Sequence, residues 1–178
     1  MNTSRFIMAR WAAIAIAVAA LGACTHPEQV ATSPIEITRD TTSSIDGMTL
    51  MDYPGPKAQI QYEQGEPAFF CDTIELFSTY LHPEQSRRVR AIYVQDMGQA
   101  DWNHPTGHWI DAKTAFYVVG SKRRGAMGPT FASFAREQDA REFVAKEGGK
   151  VLPFGEVTPD MAVLDGGVLK DHAGQQHS

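Results

Sequence analysis

Pro67-Ala68-Phe69-Phe70-Cys71-Asp72-Thr73-Ile74-Glu75-Leu76-Phe77 changes its period in the middle, and that change fixes the local fold. Pro67 to Phe70 is a short apolar run of strand type, and Asp72-x-x-Glu75 resembles a capping box that opens a helix immediately after Cys71. Leu76, Phe77, Tyr80 and Leu81 then share one helical face, and Pro83 ends the run. Upstream, Ala58-Gln59-Ile60-Gln61-Tyr62 alternates as a half-buried strand does, and Gln64-Gly65-Glu66 turns it back into a hairpin. Downstream, Val89 to Val94 reads as another strand, and Asp96 to Gly107 as a polar loop. The order is ββαβ.

The second half follows the same order. His108 to Ile110 and Ala115 to Val119 read as extended, Pro129 to Phe134 as a strand, Arg136 to Lys146 as a helix stopped by Gly148-Gly149, and Val151 to Phe154 as a last strand. Phe70 and Phe134 hold similar places ahead of the two helices. The expected fold class is therefore α+β, with two small ββαβ lobes, residues 48–107 and 108–157, in one compact unit. Residues 24–47, rich in Thr, Ser and Pro, read as a flexible tether, and residues 158–178 as a polar tail.

Residues 1–23 have the anatomy of a lipoprotein signal peptide: two positive charges, an apolar stretch from Trp11 to Leu21, then Leu21-Gly22-Ala23-Cys24. The apolar stretch is shorter than the roughly 20 residues a spanning helix needs. Cys24, directly after two small residues, is the expected lipid attachment point, holding the mature chain to a membrane. Removing Arg5 and Arg10 with the leader takes the formal charge from −5 to −7. An acidic chain whose densest basic runs are Arg87-Arg88-x-Arg90 and Lys122-Arg123-Arg124 lacks the clustered cations that counterion release requires, so no nucleic-acid partner is expected.

With Cys24 under lipid, Cys71 is a lone thiol in a compartment where disulfides are the usual fate of cysteine. One reading makes it a small buried hydrophobe. Another puts it at a helix amino end, where free amides and the dipole favour a thiolate. Five methionines follow the leader, and Met48, Met97 and Met127 each lie beside glycine, implying loops where a thioether faces a ligand as readily as a core. Thiolate and thioether together are soft donors that suit Cu(I). His104 and His108 are four apart, but Pro105 and Gly107 exclude a helical pair; they remain able to assist copper or hold a second divalent ion. There is no G-x-S-x-G elbow, P-loop or H-E-x-x-H, so no enzyme is expected. A thiol-dependent enzyme using Cys71 with His108 as base, and a tethered scaffold without metal delivery, stand as the alternatives.

Asp46-Gly47-Met48, Asp52-Tyr53-Pro54-Gly55-Pro56-Lys57, Phe69-Phe70-Cys71-Asp72, Gln95-Asp96-Met97-Gly98, Trp109-Ile110-Asp111-Ala112 and Gly125-Ala126-Met127-Gly128-Pro129-Thr130, in this order behind a lipobox cysteine, resemble the NosL family of copper-chaperone lipoproteins of nitrous oxide reductase maturation. The resemblance runs from about Asp40 to Gly167. It implies an outer-membrane anchor facing the periplasm, binding of Cu(I), and delivery of copper for the copper centres of nitrous oxide reductase. It also implies docking to the ABC-transporter complex of the same maturation pathway and lobes similar to those of organomercurial lyase. Many relatives carry C-x-x-C where this chain has Ser43 and Asp46. The implied site then rests on Cys71, Met127 and Met48, with Met97 and His108 next in line.

Overall fold

The computed structural model describes residues 32–164. The expected signal peptide and the Cys24 attachment point lie outside the described residues. Strands β1 (Ala58–Tyr62), β2 (Ala68–Phe70) and β3 (Val89–Gln95) enclose helix α1 (Thr73–Tyr80) in the chain, as the hairpin and capping signals require. Strands β4 (Trp109–Asp111), β5 (Phe116–Val119), β6 (Arg124–Gly125), β7 (Gly128–Pro129) and β8 (Ala132–Phe134) follow, then helix α2 (Glu137–Glu147) and β9 (Lys150–Pro153). The first sheet has the order β2-β1-β3-β4 and the second β8-β5-β9, all neighbours antiparallel.

The two halves therefore share a topology. In each, a first strand sits centrally, its hairpin partner lies on one side, and the strand after the helix lies on the other. Asp72 and Arg136, the residues that precede the first turns of α1 and α2, are separated by the same 64 positions as Phe70 and Phe134. The halves differ where β5 leads to β8, because the small hairpin β6–β7 carrying Met127 is inserted there.

Three expectations change. The lobe boundary does not fall at residue 108, because Trp109–Asp111 pairs with Tyr93–Gln95 and closes the first sheet. The expected tether of residues 24–47 is not loose over its described part. Ile37 and Ser43 are buried, Ile35 exchanges two hydrogen bonds with the Gln59 side-chain amide, Gln61 reaches Ser33 O, and Tyr93 OH donates to Thr32 O. The alternation in β1 explains this: Ala58, Ile60 and Tyr62 face the core, so Gln59 and Gln61 face the other way and offer amides to a passing backbone. The tail also begins later than residue 158, since Val157 and Ala162 are buried and Met161 packs on the main core.

Phe77 on α1 welds the lobes together. Its ring meets Tyr117 of β5 edge-on at 4.9 Å between centroids and also touches Phe131 and Phe154. Ser133 Oγ donates to Gln95 O, and Met97 N to Ser133 O, so β3 runs directly into β8. The two helix starts are built differently. Asp72 caps α1 by accepting from Ile74 N at 2.9 Å, and Glu75 reaches one residue past the usual box to accept from Cys71 N at 3.0 Å. Arg136 offers α2 no side-chain cap and instead pairs with Asp139, while Gly148 ends the helix at φ 74°.

Candidate metal centre

Cys71 sits where β2 turns into α1 and is fully buried. Around it gather Ile37, Leu50, Met48, Met51, Phe69, Trp109 and Ala126, an apolar cluster separate from the main core. Two methionines thus belong to the cluster that contains Cys71, one expected from sequence and one not. Met51 lies in the single helical turn Leu50–Asp52, and its neighbours gave no glycine signal.

The polar side of the same sulfur is more crowded than the sequence suggested. Cys71 Sγ donates to Glu75 Oε1 at 3.3 Å, Ser43 Oγ donates to Glu75 Oε2 at 3.2 Å, and donor atoms of Asp46, Cys71 and Glu75 all lie within 4.8 Å of one another. Asp46 thus lies within ligand distance of Cys71 and Glu75, and Ser43 reaches the same corner through Glu75, both of them with oxygen. Glu75 was legible as four residues after Cys71, one helical turn on, but the capping-box reading absorbed it.

Of the two readings of Cys71, burial favours the small buried hydrophobe over the helix-stabilised thiolate. Burial, reinforced by the Glu75 carboxylate beside it, pushes the Cys71 thiol well up, and these outweigh the nearby Lys57 ammonium. A thiol held in its protonated form is a weaker nucleophile than a thiolate. Lys57 is itself buried, donating to Pro54 O at 3.1 Å and Cys71 O at 3.0 Å; desolvation brings it down to about 8. It ties the corner bearing Cys71 to the Pro54-Gly55-Pro56 turn.

The Met127 hairpin is clamped to this corner. Thr130 Oγ1 donates to Asp72 Oδ1 at 2.6 Å, and Thr73 Oγ1 to Phe131 O at 2.6 Å. Gly125 faces Asp72 Oδ2, and a methyl on Gly55 would stand 2.9 Å from Gly125 Cα. The glycines of the Gly-Ala-Met-Gly-Pro block thus permit close approach of three chain segments. Ala126 joins the Cys71 cluster while Met127 beside it is 44% exposed. The structure therefore sets Met48 in the cluster that contains Cys71, and Met127 at the surface beside Ala126 of that cluster.

Met97 and His108 go elsewhere. Met97 fills space in the second lobe's cluster with Val118, Phe134, Trp102 and Phe143, so its glycine neighbour did not mean a free thioether. His108 is exposed at φ 52°, in a left-handed turn after Gly107, one residue before Trp109. His104 is also exposed, beside Asp101. Among the described residues, two buried side-chain atoms lack a hydrogen-bond partner, Asp72 Oδ2 and Trp109 Nε1, and both border the Cys71 corner.

The Asp72 carboxyl is pushed up to about 6, chiefly by burial, against the pull of its bonds from Thr130 and Ile74. The folded state then holds a proton there more tightly than the unfolded chain, whose value is 3.8, so the cost of the ionised form is complete above about 6 and is relieved as pH falls toward 3.8. Metal-free protein should gain about 2 kcal/mol relative to Asp72→Asn between pH 7.5 and 4.5. Denaturant melts of both proteins at the two pH values check this, and an equal pH response would contradict it.

Comparison with known proteins identifies the family and supports the fold. The NosL family model matches residues 34–162. The chain belongs to the NosL family. It is 40% identical over 157 residues to the copper-binding lipoprotein NosL of Stutzerimonas stutzeri, spanning 86% of this chain and 81% of that protein. It is also 40% identical over 160 residues to the copper-binding lipoprotein NosL of Achromobacter cycloclastes, spanning 86% and 82%. The crystal structure of the copper chaperone NosL from Shewanella denitrificans superposes with a TM-score of 0.69 at 36% identity, covering 72% of this chain and 97% of that one. The family match begins at residue 34, where the described chain is already bonded to the first sheet, so the NosL unit includes part of the stretch expected to be tether.

Proposed function

We propose that this chain is a Cu(I)-carrying lipoprotein, anchored through Cys24 in the outer membrane and facing the periplasm, that delivers copper for the copper centres of nitrous oxide reductase. The observation that carries the reading is the packing of Cys71, Met48 and Met51 in one apolar cluster that also takes Ala126, the residue before Met127. Soft sulfur donors in a dry site suit a cuprous ion, and relatives with 40% identity are named copper-binding lipoproteins. The proposed ligands are Cys71, Met48 and Met127, with Met97 outside the set and His108 exposed in the turn before Trp109. Docking to the maturation ABC transporter belongs to the same reading.

The protonation state fits carriage. A thiol held protonated is shielded from oxidation while empty, and a monovalent ion entering in exchange for one proton leaves the charge of the buried corner unchanged. Few, soft ligands leave the metal open to attack by an incoming ligand, which is what transfer needs. X-ray absorption of the Cu(I)-loaded protein should show a sulfur-only shell; a nitrogen shell would replace one thioether with His108. Met127→Leu, which conserves volume and deletes one sulfur, should weaken Cu(I) binding about tenfold without changing the melting temperature. Competition with a chromophoric cuprous chelator measures it, and an unaltered affinity would remove Met127 from the site.

A further inference from the structure

One short piece of chain lies against the polar side of the Cys71–Glu75 corner. Residues 43–48 form a narrow loop closed by Ser43 N to Met48 O at 2.8 Å and by the bridge between Thr42 and Thr49. The loop is fastened to the body by few bonds. Ser44 N donates to Phe69 O at 2.8 Å, Phe69 N donates to Ser44 Oγ at 3.0 Å, and Ser43 Oγ donates to Glu75 Oε2. Phe69 belongs to β2, the free edge of the first sheet, so these bonds are made at an edge and no inner strand must break for the loop to leave. Asp46 and Ile45 on the loop are exposed, Gly47 at φ 77° has open space where a side chain would be, and Met48 reaches inward to the Cys71 cluster.

We propose that Ser43–Met48 is a lid that swings about Thr42 and Thr49, and that its opening exposes the Cys71 sulfur to a copper donor or recipient. Because Met48 rides on the lid, closing brings a thioether to the thiol and opening withdraws it. Ligation and access are thereby coupled: the open form offers copper one sulfur fewer than the closed form. The Ser44–Phe69 pair sets how often the lid opens, and the Ser43–Glu75 bond latches it over the carboxylate. The lid takes its purpose from the copper reading, but its motion does not depend on metal.

The test uses the metal-free mature lipoprotein in detergent, treated with N-ethylmaleimide at fixed pH, with labelling of Cys71 followed by peptide mass. Ser44→Ala removes the acceptor for Phe69 N–H, and Gly47→Ala places a methyl in open space but at a backbone angle that disfavours it. Neither change touches the thiol or Glu75. Each is expected to raise the labelling rate roughly fivefold, the fold-change of a single lost hydrogen bond or left-handed residue. The rate should be nearly flat at low denaturant, because a small loop exposes little surface when it opens. Rates equal to the parent's in both variants, or a rate that rises with denaturant as global unfolding does, would overturn the lid. A protein that labels through the lid yet binds no Cu(I) would instead overturn the copper reading and leave the lid standing.

Discussion

Cys71→Ser should weaken Cu(I) binding by more than about a hundredfold, over ~2.7 kcal/mol, while the protein stays folded. The sulfur is the one anionic soft donor the site can offer, because the sequence's other cysteine is Cys24. A serine hydroxyl is hard and stays protonated, so it cannot replace the thiolate. Folding should survive because the hydroxyl keeps a donor for Glu75 Oε1, the single polar contact the thiol makes, and changes the buried volume little. An anaerobic competition titration with a chromophoric cuprous chelator, alongside a thermal melt, separates the two effects. Affinity equal to the parent's would reject Cys71 as the anchor of the site.

The second large effect belongs to a glycine. Gly125→Ala should cost about 3 kcal/mol of stability, at the upper end of overpacking, and lower the melting temperature by about 10 °C. The new methyl would overlap Asp72 Oδ2 and stand 2.9 Å from Thr130 Cβ, both of them buried, Asp72 as the cap of α1 and Thr130 bonded to it after β7. Backbone strain is not involved, since Gly125 is absent from the left-handed positions. The hairpin must therefore lift from α1, carrying Ala126 out of the Cys71 cluster and Met127 with it. Copper affinity should fall together with stability, unlike the Met127→Leu case, where only affinity moves. A melting curve unchanged from the parent's would show that the close approach is not what holds the hairpin down.

The legible parts of this fold were those that local chemistry dictates. The alternation of β1, the Asp72 cap, the Leu76–Phe77 face and the Gly148 stop each name their element without reference to anything distant. What the sequence withheld depends on partners far along the chain. Trp109–Asp111 looked like the start of a new lobe because pairing with β3 leaves no local mark. Residues 32–47 looked like tether because their bonds go to the Gln59 and Gln61 side chains, and a polar residue in a strand ordinarily signals solvent. At the site, Cys71 and Met48 stood out by residue type and Met127 by its loop. Met97 carried the same glycine signal and yet fills the second lobe's interior, which only the packing of Phe134 and Phe143 could reveal. Glu75 and Asp46 were visible but read as a cap and as tether.

The double grip of Gln59 on Ile35, seconded by Gln61 and Tyr93, has a mechanical result. A tug arriving from the direction of residue 31 is borne by the face of the first sheet, several residues before it could reach Ser43. Traction from an anchored amino terminus would therefore stretch these side-chain fastenings and leave the covering of Cys71 undisturbed, so drifting or jostling of the tethered protein would not by itself spill its metal.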